Sequence, residues 1–427
     1  SMVMGLMSGL GPAWWSTRMD PANALNEGGR NSNGPIARRF RGALIVVEAA
    51  LALALLLIGS LMMRSYGRLQ SVPLGFMPDN ILTAQIALPS SKYASPARTI
   101  GFFRTLTDRL RSDPSVINAA MVTLPPSSPG DWPMDITIEG PPAADGQPQK
   151  TALANAATPR YFSTMGIPLL DGHEFEDWDV SGKPLELVVT RSFARGYWPN
   201  EDPIGKRFQP GSNNPFGTVV GVVGDTCNIN RPDEVQPAFY FPYGYIAMPA
   251  VVLTVRCAGS PENLAPILHA EVQGIDPDQP IYNIRTMSDV VSRGTAEPRF
   301  RTILLGMFGL VALLLSAVGI YSVVAYLAGC RRKEVALRMA LGARARDVVW
   351  MIVGQGIWSV LLGVGLGLAG SVALGRLMQG LFFHVSVSDP LTYTLAPLLL
   401  IGVAFAGCYI PALRAAKADP VSVLRDE

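Results

Sequence analysis

The residue types able to do chemistry are present in this chain, but rarely at working spacings. Asp171, Glu174, Glu176, Asp177 and Asp179 crowd around His173. Carboxylates so grouped are Ca²⁺ ligand material, yet the spacing is not that of an EF-hand loop and a solvated acidic turn accounts for it more simply. Ile204-Gly205-Lys206-Arg207 has the Gly-Lys of a phosphate-binding loop. It lacks the earlier glycine and the hydroxyl residue after lysine that a phosphate cradle and Mg²⁺ need. No other such loop appears, so the chain is not expected to hydrolyse ATP by itself. Gly365, Gly367 and Gly370 spell GxGxxG inside an apolar stretch. A dinucleotide site needs a strand before that motif, whereas close helix approach needs only the small residues. His173, His269 and His384 lie far apart, and the four cysteines have no CxxC spacing. Zinc or redox ligation is not indicated. No catalytic residue, cofactor or metal is expected, and nothing points to nucleic acid.

The most suggestive stretch is Cys330–Gly356. Arg331, Arg332, Lys333, Arg338, Arg344 and Arg346 face only Glu334 and Asp347, with Val335, Leu337, Met339 and Leu341 between them and Gly342-Ala343 after. Two readings fit: a basic loop held at the cytoplasmic face by its charge, or a short helix along the membrane face that offers itself to a partner.

The elements around it favour a membrane setting. Of the 427 residues 49% are hydrophobic and 16% charged, and the mean hydropathy is +0.26. That is too apolar for an ordinary soluble enzyme. Ala43–Met63 holds one charge, Glu48, and is long enough to span a bilayer. Thr302–Ala328, Val348–Leu374 and Leu391–Leu413 are three further spans. Glu48 is shallow, so it reads first as a hydrated acid or a partner of Arg41, and second as an interhelix carboxylate. Arg38, Arg39 and Arg41 precede the first span, the basic stretch separates the second and third, and Arg414, Lys417 and Arg425 follow the fourth. This distribution implies cytoplasmic termini and one large external region.

That region, from about Tyr66 to Arg299, is dotted with Pro and Gly. Ile81–Leu88, Leu185–Thr190, Thr218–Val223 and Val251–Val255 read as strands. Ser95–Arg111 sets Ile100, Phe103, Leu106 and Leu110 on one helical face, and Pro261–Gln273 does the same with Leu264, Ile267 and Leu268. The fold class is therefore membrane α-helical with four full transmembrane helices, plus an α+β extracytoplasmic domain inserted between the first and second. Cys227 and Cys257 both fall in this domain, where an oxidising compartment would let them pair or leave them as two thiols.

An internal repeat bears on the first thirty residues. Pro12-Ala13, Arg18, Asp20-Pro21 and Leu25 recur at a constant offset as Pro411-Ala412, Lys417, Asp419-Pro420 and Leu424. Two tandem copies of one membrane unit explain this economically. The domain reading is then 1–30, the end of a preceding repeat; 31–42, a cytoplasmic linker; 43–65, the first transmembrane helix; 66–299, the periplasmic domain; 300–329, the second helix; and 330–348, a cytoplasmic segment. The third helix follows at 349–376, a short periplasmic loop at 377–390, the fourth helix at 391–413 and a cytoplasmic tail at 414–427.

Three separate motifs carry a family resemblance. Arg331–Val349, with Glu334, Arg338, Ala340, Gly342 and Ala343 at matching positions, resembles the cytoplasmic segment of MacB/FtsX-type ABC transporter permeases. Ala157–Glu174, with Tyr161-Phe162, Gly166-Ile167 and Leu170, is similar to their external-domain motif. The Pro411-Ala412, Asp419-Pro420 and Leu424 ending resembles theirs as well. The duplication further resembles the C-terminal half of the duplicated, acidobacterial-type orphan permeases.

The resemblance implies a non-catalytic permease subunit in a bacterial inner membrane. Its spans transmit the work of a separate cytoplasmic ABC ATPase dimer to the periplasmic domain. That domain would act on a periplasmic protein or exported substrate, and the subunit would pair with a second permease or with its tandem repeat. Glu334, Leu337, Arg338, Met339, Gly342 and Ala343 would be the ATPase-coupling residues. The alternative is an ATPase-independent membrane-anchored sensor or scaffold that binds a periplasmic partner.

Overall fold

The computed structural model describes residues 35–128, 130–140, 150–176, 178, 182–229, 235–377 and 390–416. The first copy of the repeat, the linker before Pro35, His384, Asp177 and Asp179, and the Asp419-Pro420 and Leu424 ending lie outside the described residues. The chain divides into two compact units, one built of residues 1–65 and 301–427 and the other of residues 66–300.

The inserted unit is α+β. In chain order, after α1 (Pro35–Gln70), come β1 (Ile81–Ala87), α2 (Pro96–Arg111), β2 (Val116–Val122), β3 (Pro133–Ile138), β4 (Lys150–Ala157), α3 (Tyr161–Met165), β5 (Leu169–Gly172) and β6 (Glu186–Thr190). Next are α4 (Arg191–Tyr197), β7 (Arg207–Pro210), β8 (Gly217–Val223), β9 (Ala238–Pro242), α5 (Tyr243–Ile246), β10 (Ala250–Cys257), α6 (Leu264–Ile275), β11 (Ile281–Thr286) and α7 (Met287–Gly294). The four expected strands are β1, β6, β8 and β10. The two expected helices are α2 and α6, the latter preceded by a 3₁₀ turn over Pro261–Asn263. Ser95 caps α2, its hydroxyl accepting from the Arg98 amide, which satisfies one of the unpaired donors of the first turn.

The strands run in the order β11-β1-β10-β2-β4-β3-β7-β8-β6-β9, with β5 on β8. Because β9 also pairs in parallel with β4, the strands β4, β3, β7, β8, β6 and β9 close into a ring, and closure removes open edges. Phe193, Phe208, Phe239 and Phe241, each fully buried, fill it with edge-on and tilted ring contacts. The antiparallel arm β11-β1-β10-β2 joins the ring through the single pair Val122 and Ala157. Phe102, Phe103, Leu106 and Leu110 of α2 are buried against the core of this arm, the face that the helical spacing marks.

No disulfide joins Cys227 and Cys257. Cys257 ends β10 in the open arm, where its thiol meets the Gly259 carbonyl at 3.0 Å. Cys227 follows β8 of the ring, its amide donating to the Leu74 carbonyl at 2.8 Å. Both are buried. Of the two readings left open for this pair, this is the one with two thiols: β8 and β10 are not neighbours in the strand order.

The Ala157–Glu174 motif turns out to specify fold. Tyr161 and Phe162 are buried and pack edge to face, and Phe162 meets Tyr240 in the same way. Gly172 has φ +70°, and a Cβ there would lie 2.1 Å from the Val220 carbonyl oxygen; only glycine allows that approach.

In the other unit, α1, α8 (Ala296–Cys330), α10 (Ala345–Leu377) and α11 (Pro390–Ala416) are long and apolar enough to cross a membrane. The short helix α9 (Arg332–Ala340) joins α8 to α10. The protein is a membrane protein. Helix α1 is the most enclosed of the four, with Ala49, Leu53 and Leu57 fully buried. Glycines set its contacts: Gly363 and Gly367 of α10 lie so close to Ala49 and Ala50 that a Cβ would come within 3.0 Å of each residue. Of the GxGxxG run, Gly367 thus serves helix packing, while Gly365 and Gly370 have nothing within 4 Å of a Cβ position. Glu48 faces α8 at Gly319, whose missing side chain leaves room for its carboxylate. This is the interhelix arrangement, not the hydrated interfacial acid that its shallow position suggests.

Candidate functional site

Helix α9 is short, and its composition of Lys, Glu, Ala, Leu, Arg and Met favours the helical state. Glu334 in its first turn and Arg338 in its last complement the helix dipole. The two form an i,i+4 ion pair at 2.7 Å, with the acid N-terminal to the base, the better orientation. Arg331 approaches the other Glu334 oxygen at 4.0 Å. Each partner is about half exposed, so the pair contributes only about 0.3–0.5 kcal/mol.

The end of α9 is fixed by its backbone. The Gly342 amide donates to Met339 O at 3.0 Å and the Ala343 amide to Arg338 O at 2.9 Å. With Gly342 at φ +99°, this is a complete Schellman motif, which satisfies carbonyls the helix would leave open. Gly342 and Ala343 thus stop α9 and turn the chain into α10.

The faces of α9 differ. Val335 is buried, and Met339 is partly buried against the core of the membrane bundle. Leu337 is 56% exposed and Leu341, just beyond the helix, 81%. At about 100° per residue, Leu337, Leu341, Glu334 and Arg338 fall within one arc of about 100°, with Leu337 farthest from Val335 and Arg338 nearest to it. Arg338 also reaches Met351 Sδ of α10 at 2.7 Å through its second terminal nitrogen. Glu334, Leu337 and Arg338 are therefore brought together on one accessible face, while Met339 anchors the helix from beneath and Gly342-Ala343 form its stop. Leu341, Val335 and Met351 complete the arrangement. The Leu337–Leu341 spacing of four signals the first in the sequence, but no sequence pattern marks Met351 as a partner of Arg338.

In the inserted unit the acidic group near His173 does not converge. Asp171 Oδ1 accepts from the Gly172 amide next to it, and among the described residues no three His, Cys, Asp or Glu side chains come together as a metal site. Lys206 pairs with Glu201, so the lysine of the partial phosphate-loop motif is engaged locally.

Residues 306–420, which run from α8 through α9 and α10 to the end of α11, match the family described as FtsX-like permease C-terminal. The macrolide export ATP-binding/permease protein MacB of Azoarcus sp. is 26% identical over 92% of this chain and 58% of its own length. Over this stretch the chain resembles MacB/FtsX-type ABC permeases. The MacB protein of Marinobacter nauticus is 24% identical to the permease over 65% of this chain and 44% of that one. The permease thus spans about half the length of the curated relatives it matches. The crystal structure of the periplasmic region of MacB from Actinobacillus actinomycetemcomitans aligns with 53% of the permease and 97% of that chain, at 15% identity and a TM-score of 0.36.

Proposed function

We propose that the permease is the non-catalytic, force-transmitting part of an ABC transporter and that α9 is its contact with the ATPase. The observation that carries this reading is the outward face of α9. Two exposed leucines flanked by the Glu334–Arg338 pair offer an apolar anchor with a charged rim, the make-up of an interface centre. Val335 and Met339 tie the same helix to the bundle, so a push on the outer face is passed to the membrane helices and not absorbed by a loose loop. Helix α1 runs on to Gln70 and α8 begins at Ala296; each extends beyond its apolar span, and long helices transmit displacement well. Basic residues at the α9 end of the bundle support a cytoplasmic α9, which by the same charge rule goes with a periplasmic inserted domain and a bacterial inner membrane. There the domain acts on an exported compound or a periplasmic protein.

The ATPase binds as a dimer to two permease units, supplied either by a second chain or by a tandem repeat. Co-purification from native membranes tests this. An ABC ATPase is expected with the wild type and is lost with Leu337→Asp and Leu341→Asp together. If no ATPase is recovered under any nucleotide condition, the permease is a membrane-anchored sensor or scaffold instead.

A further inference from the structure

The membrane bundle holds an apolar groove of about 640 Å³ between α1, α8 and α10. Val323, Leu327, Trp350 and Trp358 line it, Gly42 lies at one side, and Arg331 stands at its α9 end. Trp350 and Trp358 are 55% and 66% exposed, so the groove opens on a surface that the membrane-spanning helices present to lipid. From Trp350 to Trp358 it follows eight residues of helix, about 12 Å, most of the depth of one hydrocarbon leaflet. Arg331 is the charged member of this lining. Its ion-pair contact among the described residues is loose, 4.0 Å to Glu334, because Arg338 holds the other Glu334 oxygen at 2.7 Å. Arg344 and Arg346 are exposed at the start of α10, adding positive potential at the same end.

We propose that this groove binds one anionic phospholipid of the cytoplasmic leaflet. An acyl chain lies along the groove and the headgroup phosphate meets Arg331. The charge selects the occupant: a neutral lipid would fill the apolar length but offer the guanidinium no anion beyond the loose contact with Glu334. Basic pockets between transmembrane helices on the cytoplasmic side bind anionic headgroups in this way, and tryptophans favour the interfacial depth. The inference does not depend on whether α9 engages an ATPase.

Native mass spectrometry of the full detergent-purified chain tests it, with phosphatidylglycerol and phosphatidylcholine of the same acyl chains as probes. Phosphatidylglycerol is expected to stay bound more strongly. Arg331→Gln weakens it about five- to tenfold, the worth of one basic residue, while Arg331→Lys retains most of it. Gly354 lines the groove and has no atom within 4 Å of a Cβ position. Gly354→Leu therefore fills the groove and reduces retention of both lipids with helicity unchanged. Equal retention of the two lipids by the wild type overturns the proposal, as does phosphatidylglycerol binding that survives both Arg331→Gln and Gly354→Leu. Displacement by glycerol 3-phosphate alone would show a soluble-phosphate site and also overturns it. So does cross-linking between copies through Trp358→Cys that excludes lipid, since a second copy then occupies the groove.

Discussion

The amide of Ala343 donates to the carbonyl of Arg338 at 2.9 Å, and this one bond ties the stop of α9 to a residue of its outward face. The Gly-Ala step and the arginine belong to one device: the turn fixes where the helix ends, and so fixes the direction in which Leu337 and Arg338 point.

Gly342→Val should disturb that device without disturbing the membrane bundle. A β-branched residue at φ +99° is strained by about 1–2 kcal/mol, and the cheapest relief is to unwind the last turn of α9. Faster protease cleavage between α8 and α10, with unchanged membrane insertion, is the expected result. Gly342→Asn, which tolerates this backbone region better, should lie between wild type and valine.

Exchanging the charges separates the fold of α9 from its partner contact. Glu334→Arg with Arg338→Glu keeps an i,i+4 pair but reverses it against the helix dipole, a loss of only about 0.5–1 kcal/mol in the helix. Thermal stability should hardly move, while ATPase co-purification falls at least tenfold. An unchanged pull-down would remove Glu334 and Arg338 from the contact.

The glycines of α10 should divide cleanly. A Cβ at Gly363 would lie 2.7 Å from both the Ala49 side chain and the Val46 carbonyl oxygen, whereas positions 365 and 370 have nothing within 4 Å. Gly363→Leu is expected to force α1 and α10 apart and lower the melting temperature of the detergent-solubilised permease by several degrees, an overpacking effect of about 1–3 kcal/mol. Gly365→Leu and Gly370→Leu should leave it unchanged. A dinucleotide loop would show a different dependence, with Gly365, Gly367 and Gly370 all needed.

Acid should weaken the inserted domain through Asp276. This buried carboxylate accepts from Lys92 and from the Tyr93 hydroxyl, and those bonds hold its pKa below the usual carboxylate value. The same site pushes Tyr93 up to about 12, through burial first and the adjacent carboxylate second. A depressed folded pKa means the stabilisation is present above the unfolded value, near 3.9, and is lost as pH falls through the folded one. Melting curves monitored by tryptophan fluorescence should therefore drop below about pH 4. Asp276→Asn should be less stable at neutral pH and flatter across that window.

The amino-acid sequence by itself determined what depends on local composition and period. The four spans follow from the length of their apolar runs. The strands β1, β6, β8 and β10 follow from β-branched content, and α2 from the spacing of its apolar residues. The strands β2, β3, β4, β5, β7, β9 and β11 escaped notice. Alanine-rich β4 has one β-branched residue, and the four-residue β5 and β7 have none; β9 pairs only with β4 and β6, far off in the chain. Their closure into a ring is a matter of pairing register, which no local pattern states. The separation of Cys227 from Cys257 follows from the same register, since only strand order sets how far apart two strand ends lie. At α9 the motif residues were legible, but not which of them faces outward. Leu337 and Met339 are both apolar and two positions apart; only the packing of Val335 and Met339 on the bundle turns one inward and leaves the other exposed. The groove beside Arg331 is likewise tertiary in origin. It is lined by α1, which is far off in the chain, together with α8 and α10, and packing against neighbours, not residue type, decides where such space is left.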